Sequence, residues 1–179
     1  AAALHHCLIE SARRDPRATA VVEPGVGSMD YGELDQLSDR MRDCLVAMGV
    51  VRGDRVGLYL RKSIDTLVGI FGALKAGAAY VPVDPGAPAA RGAYILGNCE
   101  VKVALVEATH ADKLRAELDA AGAKPQLIVI DEPWRAGAGI RGALDALSAT
   151  AAQQAATVDS AASELAYILY TSGSTGKPK

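Results

Sequence analysis

Residues 55–85, which read RVGLYLRKSIDTLVGIFGALKAGAAYVPVDP, decide the fold class. The apolar runs Arg55–Leu60 and Ala79–Val83 have the length and composition of strands, and the second is continuously apolar, as in a strand covered on both faces. Between them, Ser63 is a candidate N-cap and Gly77 a candidate stop of one helix. The predicted inner face of this helix consists of Leu67, Phe71 and Leu74. This strand–helix–strand order predicts parallel strands joined by a right-handed crossover.

The same alternation continues on both sides of this unit. Asp30 and Glu33 have the spacing of a capping box, and Gly49 is a natural helix stop. The helix predicted between them carries an apolar stripe of Leu34, Leu37, Met41, Leu45 and Met48. The other predicted elements are a helix over Leu4, Leu8, Ile9 and Ala12, a strand over Thr19–Val22, a helix from Pro88 to Leu96, a strand over Val101–Val106, a helix over Ala111–Ala121 and a strand over Leu127–Ile130. The sequence therefore predicts an α/β fold, a layered and mostly parallel sheet with flanking helices.

Length, charge and cysteine content restrict the class of protein. A chain of 179 residues is long enough for one hydrophobic core, and its net charge of −2 predicts no attraction to nucleic acid or anionic membrane. No apolar run approaches the roughly 20 residues that span a bilayer, and the first residues do not have the pattern of a signal peptide. The three cysteines lack metal-type spacing. These features predict reduced thiols in a cytoplasmic protein.

One segment departs from the alternation. Residues 132–163 are rich in Ala, Gly and Gln and have weak periodicity. They are interpreted as a surface excursion with one helix near Leu144 and Leu147.

A polar loop, Tyr170–Lys179, reads YTSGSTGKPK and follows the apolar run Leu165–Leu169, which predicts a buried strand. Glycines let a backbone approach an anion, hydroxyl and N–H groups donate hydrogen bonds, and lysine supplies positive charge. A solvated Gly/Ser linker is the alternative, but the position directly after a strand favours a phosphate site. The candidate site residues are Thr171, Ser172, Gly173, Ser174, Thr175, Gly176 and Lys177.

This loop differs from the two best-known phosphate motifs. Gly173 and Gly176 are separated only by Ser174 and Thr175, and Pro178 follows Lys177 where a P-loop has Ser or Thr. Because Pro178 lacks an N–H group and disfavours helical geometry at Lys177, no helix is expected to start there and direct its dipole at the anion. A Rossmann G-x-G-x-x-G pattern is also absent from the loop. Phosphate binding would therefore depend on hydroxyl groups, backbone N–H groups and Lys177.

Three segments carry a family resemblance. YTSGSTGKPK resembles the signature of the adenylate-forming (ANL) enzymes, which include nonribosomal peptide synthetase adenylation domains and acyl-CoA synthetases. Leu74–Pro85, LKAGAAYVPVDP, is similar to a second family motif, although the commonest form has Gly at Ala78 and Leu at Val83. Met29–Leu45, MDYGELDQLSDRMRDCL, is similar to an amino-terminal motif built around Tyr-x-Glu-Leu. The segments occur in the family order, and the resemblance covers nearly the whole chain.

The resemblance implies a role in ATP chemistry. Residues 1–179 would be the incomplete N-terminal part of an adenylation domain, within its large subdomain, and the pattern after Asp84 resembles amino-acid-activating members. The parent enzyme would use ATP and Mg²⁺ to activate a carboxylic acid as an acyl-adenylate, and would pass it to the phosphopantetheine thiol of a carrier protein or to CoA. In the family the loop matching Thr171–Lys177 contacts the β- and γ-phosphates. The substrate pocket, the adenine and ribose contacts and a catalytic lysine lie beyond this loop, so we expect these 179 residues alone to form no adenylate.

Two other functions stay open at this stage. An acyl- or aryl-CoA synthetase would differ mainly in the thiol acceptor, and a noncatalytic fragment would act only as a folded or binding module. The residues beyond Lys179 would separate an enzyme from a fragment. Partners would be the acid substrate, the acceptor thiol and the remaining part of the same enzyme, with no nucleic acid and no membrane.

The remaining polar residues are weaker candidates. His5, His6 and Cys7 are adjacent and do not share one helix face, so no joint metal site is expected. Asp84 is interpreted as a turn residue or an N-cap in preference to a site residue. Arg61 and Lys62 follow a strand end, where α/β ligands often lie, but a surface charge is the simpler interpretation.

Overall fold

The structure, a computed structural model, describes residues 4–131 and 139–148. Twelve elements are present within these residues, and the chain alternates between helices and strands as the sequence predicts. In chain order they are α1 (Leu4–Arg14), β1 (Thr19–Glu23), β2 (Gly27–Asp30), α2 (Tyr31–Ala47), β3 (Arg55–Tyr59), α3 (Ile64–Lys75), β4 (Ala79–Pro82), α4 (Ala89–Asn98), β5 (Val103–Glu107), α5 (Ala108–Ala120), β6 (Gln126–Ile130) and α6 (Gly139–Ser148). None of the described helices has the length and apolarity that crossing a membrane requires.

Four of the strands form the parallel sheet that the sequence predicts. Their spatial order is β4-β3-β5-β6, and every neighbouring pair is parallel. In the register, Val56 of β3 lies between Tyr80 of β4 and Val103 of β5. The carboxyl ends of all four strands therefore meet at one edge of the sheet.

The β1–β2 hairpin is predicted only in part. The sequence indicates β1 and a turn at Pro24–Gly25 but no second strand, whereas β2 pairs with β1 in antiparallel register. The turn is closed by the Val26 N–H group, which donates to the Glu23 carbonyl at 3.0 Å. Glycine and serine have low strand propensity, which is why residues 27–28 do not read as a strand. Burial of Met29 in the core supplies the stability that propensity does not.

Helices cover both faces of the sheet, and each face has its own core. Helices α2, α3 and α6 contribute to one apolar cluster, and α4 and α5 contribute to the other. The Gly92 position on α4 shows how closely these layers approach, because a Cβ atom there would lie 2.5 Å from Cε2 of Tyr59. The fold is thus a layered α/β arrangement, as predicted.

The predicted inner face of α3 is wrong in part. Leu74 is buried, but Leu67 and Phe71 are only half-buried, while Val68 is fully buried. Three small residues of α3 are also buried, namely Gly69, Gly72 and Ala73. Because α3 is packed between the sheet and α2, small residues occupy the closest contacts and the large side chains lie at the margins.

The predicted helix caps of α2 and α3 are present. Asp30 Oδ1 accepts a hydrogen bond from the Glu33 N–H group at 2.8 Å, and Ser63 Oγ accepts one from the Thr66 N–H group at 3.1 Å. At its other end α2 stops before Gly49, which has a positive φ of 95°. These local signals place both helices in the chain where the sequence indicates.

The helix predicted near Leu144 and Leu147 is present as α6. Ile140 and Leu144 are fully buried, so this part of the segment 132–163 contributes to the core as well as to the surface. Residues 132–138 and 149–163 lie outside the described residues, and the surface excursion as a whole stays a prediction.

Candidate functional site

The order of the strands fixes where a ligand is expected. From β3 the chain moves to β4 on one side and then crosses to β5 and β6 on the other side, so the direction of winding reverses between β3 and β5. In open α/β sheets ligands bind in the crevice outside the carboxyl ends of the strands at such a switch point. A ligand is therefore expected beside the residues that follow β3 and β5.

A crevice of about 130 Å³ lies at this switch point, and we call it the switch crevice. Its polar lining combines one guanidinium, two hydroxyl groups and three carboxylates: Arg61, Ser63, Thr109, Asp65, Glu107 and Asp131. Leu60 and Ile130 complete the walls. The volume is below the roughly 300 Å³ of ordinary small-molecule sites, so this crevice alone does not accommodate a nucleotide.

Glu107 ties together the carboxyl ends of β3 and β5. Its Oε1 atom accepts a hydrogen bond from the Arg61 N–H group at 3.0 Å and lies 3.6 Å from Nε of Arg61. The bond fixes the backbone where the chain leaves β3. A carboxylate at the last position of β5 thus holds the wall of the switch crevice in place.

Asp65 connects the switch crevice with α6. Its side chain is buried, and its Oδ1 atom accepts a hydrogen bond from the Ile140 N–H group at 3.1 Å. The carboxylate of an α3 residue therefore caps the first turn of α6, where the N–H groups of a helix lack partners within the helix. The sequence does not predict this long-range cap, because no local pattern joins residues 75 positions apart.

The first residues of the segment Leu74–Pro85 have a structural role, since Lys75 forms ion pairs with α2. The Lys75 side chain is 0% exposed, and its Nζ atom lies 2.6 Å from Asp35 Oδ1 and 2.7 Å from Asp39 Oδ1 on α2. This cluster is absent from the predictions made from sequence. The available signal was the spacing of Asp35 and Asp39, which lie four residues apart and so share a helix face. The cluster joins α3 to α2 just before the chain enters β4.

At the end of the same segment, Asp84 has the predicted turn role. Its Oδ1 atom accepts a hydrogen bond from the Gly86 N–H group at 2.8 Å, which closes a turn directly after β4. Asp84 is exposed, in contrast to the buried Val81 and Val83 before it.

A buried phenol lies beside this turn. Burial raises the pKa of Tyr59, and the carboxylate of Asp84 raises this pKa further. The Tyr59 ring meets the His110 ring edge-on at a centroid distance of 6.0 Å. The predicted helix Ala111–Ala121 leaves His110 ahead of the helix, and the sequence interpretation places it at the surface. In the structure His110 lies within α5 and is half-buried against Tyr59. The correction follows from α5 starting at Ala108, ahead of the predicted start at Ala111.

The cysteines of the described residues offer no nucleophile near this edge. Burial raises the pKa of the Cys44 thiol, with an opposing effect of Arg40 and a smaller raising effect of Asp43. A thiol with a raised pKa stays protonated and unreactive near neutral pH. Cys99 is also buried, and Cys7 is exposed on α1.

The predicted phosphate site lies outside the described residues. Thr171, Ser172, Gly173, Ser174, Thr175, Gly176 and Lys177 all belong to this part of the chain, as do Tyr170 and Lys179. Their role stays a prediction. Arg61 and Lys62, which follow β3, are exposed at the carboxyl edge of the sheet, as expected.

Comparison with protein families and curated proteins identifies relatives of the whole chain. A family model described as AMP-binding enzyme matches residues 8–179. Surfactin synthase subunit 2 of Bacillus subtilis (strain 168) is 36% identical over 177 residues, and syringomycin synthase SyrB1 of Pseudomonas syringae pv. syringae is 36% identical over 178 residues. These alignments cover 99% and 98% of this chain, but only 4% and 25% of the two relatives. The chain therefore spans a small part of the length of these relatives.

Solved structures share the fold. The N-terminal domain of FACL13 from Mycobacterium tuberculosis superposes with a TM-score of 0.82 at 30% identity, and the match covers 100% of this chain and 43% of that domain. ATP-bound MatB from Rhodopseudomonas palustris has a TM-score of 0.77 at 30% identity, with 98% and 33% covered. VinN in complex with L-aspartate has a TM-score of 0.80 at 26% identity, with 98% and 46% covered. These similarities confirm the predicted fold class.

Proposed function

The chain belongs to the AMP-binding enzyme family, and from that premise we propose that it forms part of an ATP-dependent ligase. The ligase would activate a carboxylic acid, with an amino acid as the favoured class, as an acyl-adenylate and release pyrophosphate. The observation that carries the proposal is the loop YTSGSTGKPK, which lies within the range matched by the family model.

The relatives support both substrates of this reaction. Several curated relatives are named as synthases of gramicidin, surfactin and tyrocidine. One structural neighbour holds ATP, and another is a complex with L-aspartate. An enzyme that uses ATP and an amino acid is consistent with all of these relatives. The extension to this chain is part of the proposal, since the chain covers a small part of each curated relative.

The residue types of the loop fit the charge that develops in the reaction. When a carboxylate oxygen attacks the α-phosphorus of ATP, the bond from that phosphorus to the α,β-bridging oxygen breaks and pyrophosphate leaves with additional negative charge. A cationic loop rich in hydrogen-bond donors stabilises this leaving group more than it stabilises bound ATP. We assign this role to Thr171–Lys177, with Lys177 as the cation.

Mg²⁺ would bridge the phosphates and reduce their charge. Within residues 4–131 and 139–148 no group of three or more His, Cys, Asp or Glu side chains is suited to a metal ion. The proposal assigns phosphate oxygens as ligands of Mg²⁺ and names no protein ligand for it.

The second half of the proposed reaction passes the acyl group to a thiol. In a peptide synthetase this thiol would be the phosphopantetheine of a carrier protein, and in an acyl- or aryl-CoA synthetase it would be CoA. The named synthases among the curated relatives favour the carrier protein. Both acceptors carry the same thiol arm, so the adenylation step is common to the two alternatives.

The test is ATP–pyrophosphate exchange by the complete enzyme that contains this chain. Labelled pyrophosphate should enter ATP only when the correct acid is present, and a panel of amino, aryl and fatty acids would identify its class. Exchange with an amino acid supports the proposal, and exchange with a fatty or aryl acid alone supports the CoA synthetase alternative. Absence of exchange across the panel, with a folded enzyme and Mg²⁺ present, would contradict both.

A further inference from the structure

Helix α3 carries large apolar side chains that its neighbours cover only in part. Leu67, Ile70 and Phe71 are spaced three and four residues apart, so they lie along one side of the helix, and we call them the α3 stripe. All three are half-buried, whereas Val68 is fully buried in the core. A surface helix normally directs its large apolar residues to the core and its charged residues to solvent. The α3 stripe departs from this rule.

The polar side chains of α3 are all engaged by other parts of the chain. Asp65 is buried and accepts a hydrogen bond from the N–H group of Ile140 on α6. Thr66 Oγ1 donates a hydrogen bond to the Arg61 carbonyl at 2.6 Å. Lys75 is fully buried against two carboxylates of α2. Because no charged side chain of α3 remains for solvent, its composition is that of a helix enclosed on all sides by protein.

Helix α5 shows the contrasting pattern of a helix that faces solvent. Its exposed residues include Asp112, Lys113 and Arg115. Its apolar residues Leu114 and Leu118, four positions apart, are buried in the second core. The difference between α3 and α5 indicates that the side of the molecule with the α3 stripe is the one that contacts further protein.

The β1–β2 hairpin, which contacts α3, is a second element that accepts a neighbour. Within residues 4–131 and 139–148 its strands pair only with each other, so each strand has one unpaired edge. Val22 of β1 is 63% exposed, although valine favours a covered strand face. Two-stranded hairpins are marginally stable alone, and open strand edges form backbone hydrogen bonds with a further strand. These edges favour a polypeptide, and not a small ligand, as the neighbour.

The similar solved structures indicate where this neighbour comes from. This chain covers 43% of the N-terminal domain of FACL13 and 46% of VinN, while the matches include 100% and 98% of this chain. Each of these proteins is therefore more than twice as long as this chain. The additional polypeptide of such a domain needs an apolar surface to pack on, and the α3 stripe provides one.

We propose that the α3 stripe and the hairpin form the interface with the part of the same domain that lies outside residues 1–179. In the complete domain Leu67, Ile70 and Phe71 are then core residues, and α3 is a central helix shared by two halves of one unit. This interface is independent of the reaction proposed above. A second copy of this chain is the competing occupant, because an exposed apolar surface also drives self-association.

The test is photo-crosslinking in the complete enzyme that contains this chain. Phe71→p-benzoylphenylalanine places a photoreactive group in the α3 stripe and keeps an aromatic side chain there. Arg115→p-benzoylphenylalanine, on the exposed side of α5, is the matched control. Because the probe reacts with atoms in contact, crosslinks to peptides outside residues 1–179 should be at least about fivefold more abundant from position 71 than from position 115, as peptide mass spectrometry measures. Circular dichroism checks that both variants are folded, and Leu67→p-benzoylphenylalanine takes the place of the Phe71 variant if that variant does not fold.

Each outcome decides between the occupants. Crosslinks from position 71 to peptides of the same polypeptide outside residues 1–179 support the interface. A product of doubled mass on a denaturing gel shows that a second copy occupies the α3 stripe, and it overturns the proposal. Crosslinks confined to residues 1–179, or a yield no higher than that from position 115, overturn it as well. Because crosslinking is measured without catalysis, a failure here is distinct from a failure of pyrophosphate exchange.

Discussion

Replacing Lys75 with methionine should lower the free energy of unfolding by about 3 kcal/mol. The Lys75 side chain is 0% exposed, and its ammonium group donates to Asp35 Oδ1 at 2.6 Å, to Asp39 Oδ1 at 2.7 Å and to the Asp35 carbonyl at 3.1 Å. A lysine ammonium has three N–H donors, so these acceptors satisfy all of them. All three N–H donors of the ammonium group therefore form hydrogen bonds that join α3 to α2.

The magnitude follows from the charges that the substitution leaves behind. Methionine keeps most of the hydrocarbon volume of Lys75, so little cavity is expected. Removing one partner of a buried ion pair costs about 3–5 kcal/mol, because the remaining charge is uncompensated. The side chains of Asp35 and Asp39 are 27% and 35% exposed, so water recovers part of their solvation and the lower end of the range applies. Their mutual repulsion at a spacing of four residues adds about a few tenths of a kcal/mol.

Urea unfolding followed by circular dichroism measures this change through the shift of the midpoint at constant slope. Lys102→Met is the matched control, since Lys102 Nζ is 3.5 Å from Asp54 Oδ2 and the lysine side chain is 44% exposed. An exposed pair of this kind contributes less than about 1 kcal/mol. Adding Asp35→Asn and Asp39→Asn to Lys75→Met should recover part of the lost stability. Equal losses for Lys75→Met and Lys102→Met would refute the assignment of a buried ionic cluster.

Three further changes test other parts of the molecule. Gly72→Ala should cost about 1–3 kcal/mol in urea unfolding, because its Cβ atom would lie 2.5 Å from Cβ of Met41; a gain in stability would show that α2 and α3 separate easily. Burial, and to a smaller extent the Asp84 carboxylate, raises the pKa of Tyr59 in the folded protein. This phenol therefore contributes its full stabilisation below the pKa of the unfolded state, which is about 10, and the contribution is lost as the pH rises through the folded pKa. Between about pH 9 and about pH 11, the free energy of unfolding of the Tyr59→Phe variant should therefore fall less than that of the unaltered chain. Urea unfolding at each pH measures both free energies, and equal decreases would contradict a raised pKa. In the complete enzyme, Lys177→Ala should slow pyrophosphate exchange by at least about tenfold with little loss of stability, and an unchanged rate would remove Lys177 from the site.

The fold class is accessible from sequence because its signals are local. The apolar runs around Val56 and Val81 mark strands, Asp30 and Ser63 mark helix starts, and Gly49 marks a helix end. Each of these signals depends on neighbours within a few residues, and each agrees with the parallel sheet. Consistent local preferences of this kind are what specify a fold.

The second strand of the hairpin and the inner face of α3 are not accessible in this way. Strand β2 forms through pairing with β1 and burial of Met29, against the weak strand propensity of Gly27 and Ser28. On α3 the pattern of large apolar residues suggests Leu67 and Phe71, whereas close packing selects smaller neighbours. Tertiary contacts decide both whether β2 forms and which residues of α3 are buried. The sequence pattern of one helix or one strand carries no information about these contacts.

The candidate site likewise has parts that local sequence signals predict and parts that they do not. The phosphate loop Thr171–Lys177 is predicted from residue types and a family resemblance and stays a prediction, while the turn role predicted for Asp84 is confirmed. The polar groups of the switch crevice are not predicted as a set, because β3, β5 and β6 bring Arg61, Glu107 and Asp131 together from distant parts of the chain. Strand order, and not spacing along the sequence, creates this crevice.

Charged side chains also connect elements that are far apart in the sequence. Glu23 of the hairpin accepts a hydrogen bond from the Ile64 N–H group at 2.9 Å, and so caps α3 beside the local cap Ser63. Asp65, one residue further on, caps α6. The first turn of α3 is thus joined to the hairpin and to α6 through carboxylates at helix N-termini, where the dipole favours negative charge. Because α3 also bears Lys75 at its other end, a loss of either set of contacts should loosen several elements together.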